Sequence, residues 1–417
     1  MTASSKRAAT LGALFLSSLL LYGIRLGAMP RTVGAEETLL ASQARMIAAT
    51  GRDGAGRVLP VYISVDSEKW LQPIPVYFTA LWLGLSPSSV FVLRLPSALL
   101  GATDVVLMYL VALRIFRRDR LALLAAALLA ITPSHFFHSR LALDAVYPVP
   151  FVLLWLWALV GVLDGKSSRG LALATAALGV GCYTQPAALT MMPAFLVVTL
   201  VVLWRRGRLP ADALRAALGG FAAPLLPAAA WFIAHPRTYI DTIGRWALPL
   251  AYVRFPLDGI RAAFNWGTLT LRLWLFWDFF SPSYLFLQGG SGRADPAAHA
   301  GVLLLPLLVL VPLGLRQALT RDRATASGLV VAVGFIIAPL AAAIFLEPRA
   351  IARELVLLPF AVLLAVHGAV ALLNARHAFA RAGGILLLAL LPVCFAWYAA
   401  DYFGDDLSAS ALLERHV

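Results

Sequence analysis

The sequence is short of charge, of acids above all, and of cysteine. Of 417 residues only 13% are charged and only 21 are Asp or Glu. A soluble domain carries about 25% charged residues, so the deficit excludes an ordinary water-facing surface. The two cysteines, Cys182 and Cys394, both sit inside apolar runs, which excludes a disulfide framework and leaves the redox compartment unmarked. An internal repeat is also missing. The two long polar segments, 28–88 and 235–299, differ in length, composition and charge, unlike the matched halves of a secondary transporter.

What is abundant is apolar. Hydrophobic residues make up 61% of the chain and the mean hydropathy is +0.82. A helix needs about 20 apolar residues to cross a bilayer core. Such runs lie near 8–27, 89–113, 121–134, 147–163, 170–184, 187–204, 214–234, 300–315, 327–346, 354–373 and 383–400, two of them short. The fold class is therefore an all-α polytopic membrane protein with about 11 transmembrane helices, as a single domain over 1–417. The first run follows Lys6 and Arg7 without a clear small-residue cleavage site, so it reads as an uncleaved span.

Sidedness comes from the short joints. With a cytoplasmic N-terminus, joints 114–120, 164–170, 204–215, 316–326 and 374–381, together with Lys6 and Arg7, hold about half of the 34 basic residues. The short joints on the other side hold only Arg140, Arg349 and Arg353. Both long segments and the C-terminal tail then face outward. The net charge of +13 reflects this orientation pattern, so membrane lipids and an anionic lipid phosphate are the expected partners and nucleic acid is not. Abundant Ala, Arg and Leu with few Lys suit a GC-rich bacterium, so the expected location is the inner membrane with a periplasmic outer face.

The outward segments carry structure of their own. Residues 37–50 have apolar positions at helical spacing and read as an interfacial helix. Residues 70–85 are apolar, aromatic and broken by proline; a span there would invert every later joint, so they read as a juxtamembrane helix. Tryptophans and tyrosines recur among arginines in 235–299, as at a headgroup boundary.

Acids are rare on that side, so each is informative. Glu36 and Glu37 open the interfacial helix; either can cap it and favour its dipole, or act as a carboxylate base at the water–lipid boundary. Arg140 and Asp144 stand four apart, a spacing that pairs on a helical turn. His135 and His138 lie close by; with Asp144 they sketch a metal cluster, but a histidine pair without metal fits the spacing better. A divalent metal stays open, and no other cofactor is indicated. Arg349 and Arg353 flank the mouth of a span beside Glu347 and Glu354. Asp104 alone lies well inside a run, too little for a transport pathway.

Five segments in order resemble one family: GAEETLLASQARMIAATGRDGAGRVLPVY (34–62), FVLRLPSALLGA (91–102), ITPSHFFHSRLALDAVYP (131–148), the stretch 276–308 and EPRAIARELVLLPFAVLLAVHG (347–368). They look like a GT-C glycosyltransferase of the bacterial, lipid-carrier-dependent branch related to protein O-mannosyltransferases and the lipid A aminoarabinose transferase. The resemblance implies transfer of a sugar from a polyprenyl-phosphate carrier to a lipid, glycan or protein acceptor on the outer face, with inversion. It implies catalytic roles for Glu36, Glu37 and Asp144, with Glu36 standing where the family has its Asp base. A leaving phosphate needs cations, which suggests Arg349, Arg353, Arg254 and Arg245, with headgroup anchoring as the plainer role for the loop arginines. Arg140, His138 and His135 would support the acids. The segment 28–88 would carry the catalytic pair, and 235–299 would cover donor and acceptor. A lipid or solute transporter, or an inactive scaffold of the same fold, are the competing readings.

Overall fold

The computed structural model describes residues 3–65, 69–86, 89–165, 168–238, 241, 266–288, 300–320, 326–345 and 347–413. The architecture is helical throughout, apart from one short hairpin. α1 spans Ala3–Gly23, α2 Ala35–Thr50, α3 Pro73–Leu85, α4 Val90–Phe116, α5 Asp119–Ala130 and α6 Pro133–His138. Then come α7 Pro148–Leu163, α8 Ser168–Gly181, α9 Ala188–Arg205, α10 Ala211–Ala222 and α11 Leu226–Ala234. α12 covers Trp266–Asp278, α13 Pro282–Phe286, α14 Leu307–Thr320, α15 Ala326–Ile337 and α16 Leu340–Phe345. α17 runs Leu357–Leu373 and α18 Ala378–Leu413. Between α2 and α3, β1 (Ile63–Ser64) pairs antiparallel with β2 (Trp70–Leu71), Ile63 opposite Leu71.

Each of the eleven apolar runs contains a helix, and some of these helices are shorter than their runs. Among the described residues, five segments are long and apolar enough to cross a bilayer by length and composition: 90–116, 188–205, 211–234, 327–344 and 378–404. Two of the others are cut short beside a proline. The run expected to 134 stops at Ala130, three residues before Pro133, and the run expected from 300 becomes helical only at Leu307, after Pro306. Proline lacks an N–H and disfavours helix in the residue before it, so it shortens a helix without making the chain polar. Between α6 and α7, the non-helical chain at 142–144 lines a cleft.

Residues 37–50 and 70–85 are helical as expected, in α2 and α3. Gly51, at φ 65°, closes α2 with its N–H on the Ile47 carbonyl at 2.9 Å, a left-handed turn that glycine adopts without strain. Leu40, Ala44 and Ile47 face inward from α2 at helical spacing and meet Val76 and Ala80 of α3, Leu93 of α4 and Ala142 in a small separate core. The main core lies among the long helices. There α14 and α17 pack backbone to backbone at Gly314 and Gly368, where a Cβ would fall 1.7 Å from the Leu364 carbonyl oxygen and 2.0 Å from that of Leu310. Cys182 and Cys394 are free thiols.

Candidate active site

Consecutive residues on a helix point about 100° apart, so Glu36 and Glu37 cannot share a direction. Glu37 turns into the protein and is 2% exposed. Its carboxylate accepts from Arg94 Nε at 3.0 Å and Arg94 Nη2 at 2.9 Å, a bidentate pair. It also accepts from the backbone N–H of Ala142 at 2.8 Å and of Gly34 at 3.4 Å. The capping role foreseen for the pair therefore falls to Glu37. Arg94 spends its remaining N–H groups on the carbonyls of Leu26, Pro30 and Thr32. This one buried pair ties the chain entering α2, the start of α4 and the 139–147 segment together.

Glu36 faces the other way, into a cleft of about 720 Å³ counting its open mouth. The cleft is walled by the start of α2, by β2 and the start of α3, by the 142–144 segment, by Pro186 and by the turn carrying Arg353. Asp144 projects into it from two residues beyond the Ala142 anchor. Its carboxylate meets Arg353 Nη1 at 3.5 Å, and Arg353 Nε meets Glu347 at 3.2 Å. Burial pushes the Asp144 carboxyl above its usual range, while the Arg353 charge pulls it back. Gln185 Nε2 donates to the Arg353 carbonyl at 3.5 Å, fixing the turn from below.

The third wall belongs to the hairpin. Asp53 is buried and accepts from the N–H groups of Ala55, Arg57 and Ser64 and from Arg57 Nε, so it organises the loop after α2. The Arg57 guanidinium then lies over Trp70 at 4.7 Å and over Trp231 at 5.6 Å. Trp70 Nε1 donates to Asp241 at 3.3 Å. Lys69, Trp70, Gln72 and Asp241 all line the cleft with Glu36, Asp144 and Arg353.

Several expectations need correction. Arg140 and Asp144 do not pair: 140–147 is turns rather than a helix, so spacing by four has no meaning there. Arg140 is fully buried and donates to the carbonyls of Tyr22 at 2.7 Å and Met29 at 3.4 Å and to the Tyr402 hydroxyl at 3.3 Å, among the rings of Phe136, Tyr402 and Phe403. The two histidines do not join Asp144. His135 contacts Asp104 at 3.3 Å and the Tyr22 hydroxyl at 3.0 Å, whereas His138 bonds the Ser134 carbonyl at 2.8 Å. Among the described residues no three His, Cys, Asp or Glu side chains are grouped to hold a metal ion. Asp104 is thus tied into the bundle rather than lining a path. Arg349 pairs with Asp278 at 3.2 Å and is not part of the cleft wall. Arg245 and Arg254 lie outside the described residues.

Sequence reasoning passed over Arg94, Lys69, Trp70, Gln72 and Asp241 as site residues. Only Arg94 carried a signal: it is an arginine inside an apolar run, where an unpaired charge is costly and a buried carboxylate is the natural partner.

The fold and its apolar helices define a polytopic all-α membrane protein, and among the described residues Glu36, Asp144 and Arg353 share a polar cleft. A family model described as dolichyl-phosphate-mannose-protein mannosyltransferase matches residues 72–231. No curated protein matches the sequence. Among solved structures, ArnT from Cupriavidus metallidurans bound to undecaprenyl phosphate is similar over 95% of this chain and 76% of its own, with TM-score 0.56 and 17% identity. The Archaeoglobus fulgidus oligosaccharyltransferase, in complex with Zn and sulfate, is similar over 93% of this chain with TM-score 0.51 and 15% identity. This chain spans about half of that larger protein, 53% of its length. At 17% and 15% identity the likeness is one of fold: this chain shares the helical architecture of both proteins.

Proposed function

We propose that the protein is a membrane glycosyltransferase that moves a sugar from a polyprenyl-phosphate carrier to an acceptor hydroxyl or amine, with inversion at the sugar carbon. The observation that carries this reading is the cleft in which Glu36, Asp144 and Arg353, distant in sequence, meet. Support also comes from the family model, named for mannosyl transfer from dolichyl phosphate, and from the fold shared with an enzyme crystallised with undecaprenyl phosphate.

The Glu36 carboxylate takes the proton of the acceptor group. The acceptor atom then bonds to the sugar's anomeric carbon as the bond from that carbon to the carrier phosphate oxygen breaks. The electron pair leaves on the phosphate, so the reaction needs positive charge there. Arg353 and Lys69 are the cations of the described cleft wall. Asp144 holds the Arg353 guanidinium and helps orient the acceptor. Glu37 sits out of reach, engaged with Arg94. The cleft opens on the outer face of the membrane, and the acceptor is a lipid, a glycan or a protein.

The test is turnover in nanodiscs with an isoprenyl-phosphate-linked hexose, reading release of isoprenyl phosphate. Removing a general base lowers kcat by about 10²–10⁴-fold, the loss expected for Glu36→Gln. Wild-type turnover by Glu36→Gln sinks the assignment of the base. Absence of carrier release by the wild-type protein with every sugar and acceptor class sinks the activity itself.

A further inference from the structure

We propose that Gln72 reads the hydroxyl groups of a sugar ring held in the cleft. The inference rests on the glycosyltransferase reading and adds a specificity-determining residue to it.

Gln72 lines the same cleft as Glu36, Asp144 and Arg353, yet it is only 4% exposed. Neither its Oε1 nor its Nε2 has a hydrogen-bond partner among the described residues. Buried polar groups are almost always bonded, so one that is not calls for an explanation. Its place in the fold removes the usual one. Gln72 is the residue preceding the first turn of α3, where a side chain normally accepts from an N–H two or three residues on. Here the residue three on is Pro75, which has no N–H, and the N–H two on, of Ile74, is given to the Tyr183 carbonyl at 3.3 Å. There is nothing left to cap, and the side chain makes no capping bond.

The backbone presenting this amide is rigid. Pro73 restricts the residue before it to extended conformations, and Gln72 sits at φ −71°, ψ 143°. The preceding residue, Leu71, is paired to Ile63 in the hairpin. The backbone that carries the amide is therefore set before any ligand arrives, which lowers the cost of using it.

Its chemistry fits a sugar. A primary amide offers two N–H donors and a carbonyl acceptor, and hydroxyls both donate and accept, so one amide serves neighbouring ring hydroxyls. Being neutral, it competes neither with Arg353 for a phosphate nor with Glu36 for a proton. Trp70, braced by Arg57, and Asp241 stand on the same wall.

The ring belongs to the donor or to the acceptor, and two binding measurements separate them. Wild type and Gln72→Met in nanodiscs are titrated with isoprenyl phosphate, with isoprenyl-phosphate-linked mannose, glucose and galactose, and with the free methyl hexosides. Wild type is expected to bind at least one hexose-linked carrier more tightly than bare isoprenyl phosphate. Gln72→Met should lose about tenfold of that preference, the worth of one good hydrogen bond, with binding of bare isoprenyl phosphate unchanged. A loss confined to the methyl hexosides assigns the ring to the acceptor and upholds the proposal. The thermal midpoint should hold or rise, because methionine removes an unpaired buried amide; Gln72→Leu serves as a second variant with the same expectation. The inference is overturned if both variants keep the wild-type preference for hexose-linked carrier and for methyl hexosides. It is equally overturned if they lose bare isoprenyl phosphate to the same extent. Failure of wild type to bind any carrier overturns the glycosyltransferase reading first, and is seen without reference to Gln72.

Discussion

Two adjacent glutamates with opposite duties set the terms at the residue scale. Glu37 forms a bidentate pair with Arg94, both side chains essentially buried, and receives the Ala142 N–H. Removing one partner of a buried pair leaves the other charge stranded at a cost of about 3–5 kcal/mol. Glu37→Ala is thus expected to lower the thermal midpoint sharply in detergent. Glu36→Ala, on an exposed position, should change stability by no more than about 0.5 kcal/mol while abolishing turnover. The sequence placed both residues but could not choose between them, because the choice depends on which face of α2 packs against α3 and α4. Asp144 supplies a pH prediction. Its proton is held more tightly than in free aspartate, mainly because of burial, so its ion pair with Arg353 is present at high pH and lost as pH falls. Loss begins above the ordinary value of 3.8, so the acid limb of the kcat/KM profile should lie above it. Asp144→Asn should flatten that limb and lower the plateau.

Small residues and prolines decide the element scale. Helices in a bilayer gain little from burying apolar surface and associate instead through close packing. Gly314 and Gly368 let the backbones of α14 and α17 touch. A methyl group at either position has no room, so Gly314→Ala and Gly368→Ala should each destabilise by about 1–3 kcal/mol or more, read by thermal unfolding in detergent. The double variant should cost less than the sum, since one backbone shift accommodates both methyls. Hydrophobicity made the helices legible, and their ends were not. Apolar runs continue through Pro133, Pro148 and Pro306, but helices do not, and the chain between them forms site walls such as 142–144.

Seen whole, the molecule has two unlike ends. The cleft occupies one. At the other, Arg117 meets Asp164 at 3.2 Å, Arg208 donates to the Leu163 carbonyl at 2.8 Å and Arg114 binds the Trp157 carbonyl. Three of the basic joints read from the sequence, 114–120, 164–170 and 204–215, are represented there. We propose, from the charge asymmetry of the short joints, that this end faces the cytoplasm. In a background of Cys182→Ala and Cys394→Ala, Thr38→Cys on the exposed face of α2 should react with an impermeant maleimide in intact cells. Arg206→Cys should react only after permeabilisation, and the reverse pattern would invert the assigned sidedness.

The sequence by itself determined the membrane class, the positions of the helices and the short list of acids on one side. These follow from hydropathy and charge, which are properties of residues and need no neighbours. Only the tertiary structure decided that Glu36 faces the cleft and Glu37 does not, and that Asp144 takes Arg353 rather than Arg140 as its partner. It also decided that Gln72 lines the same cleft without a hydrogen-bond partner among the described residues. Each of those outcomes depends on the rotation of a helix or the path of a turn against elements far away in the chain. A spacing rule assumes a regular helix, and at 140–147 the chain is not one.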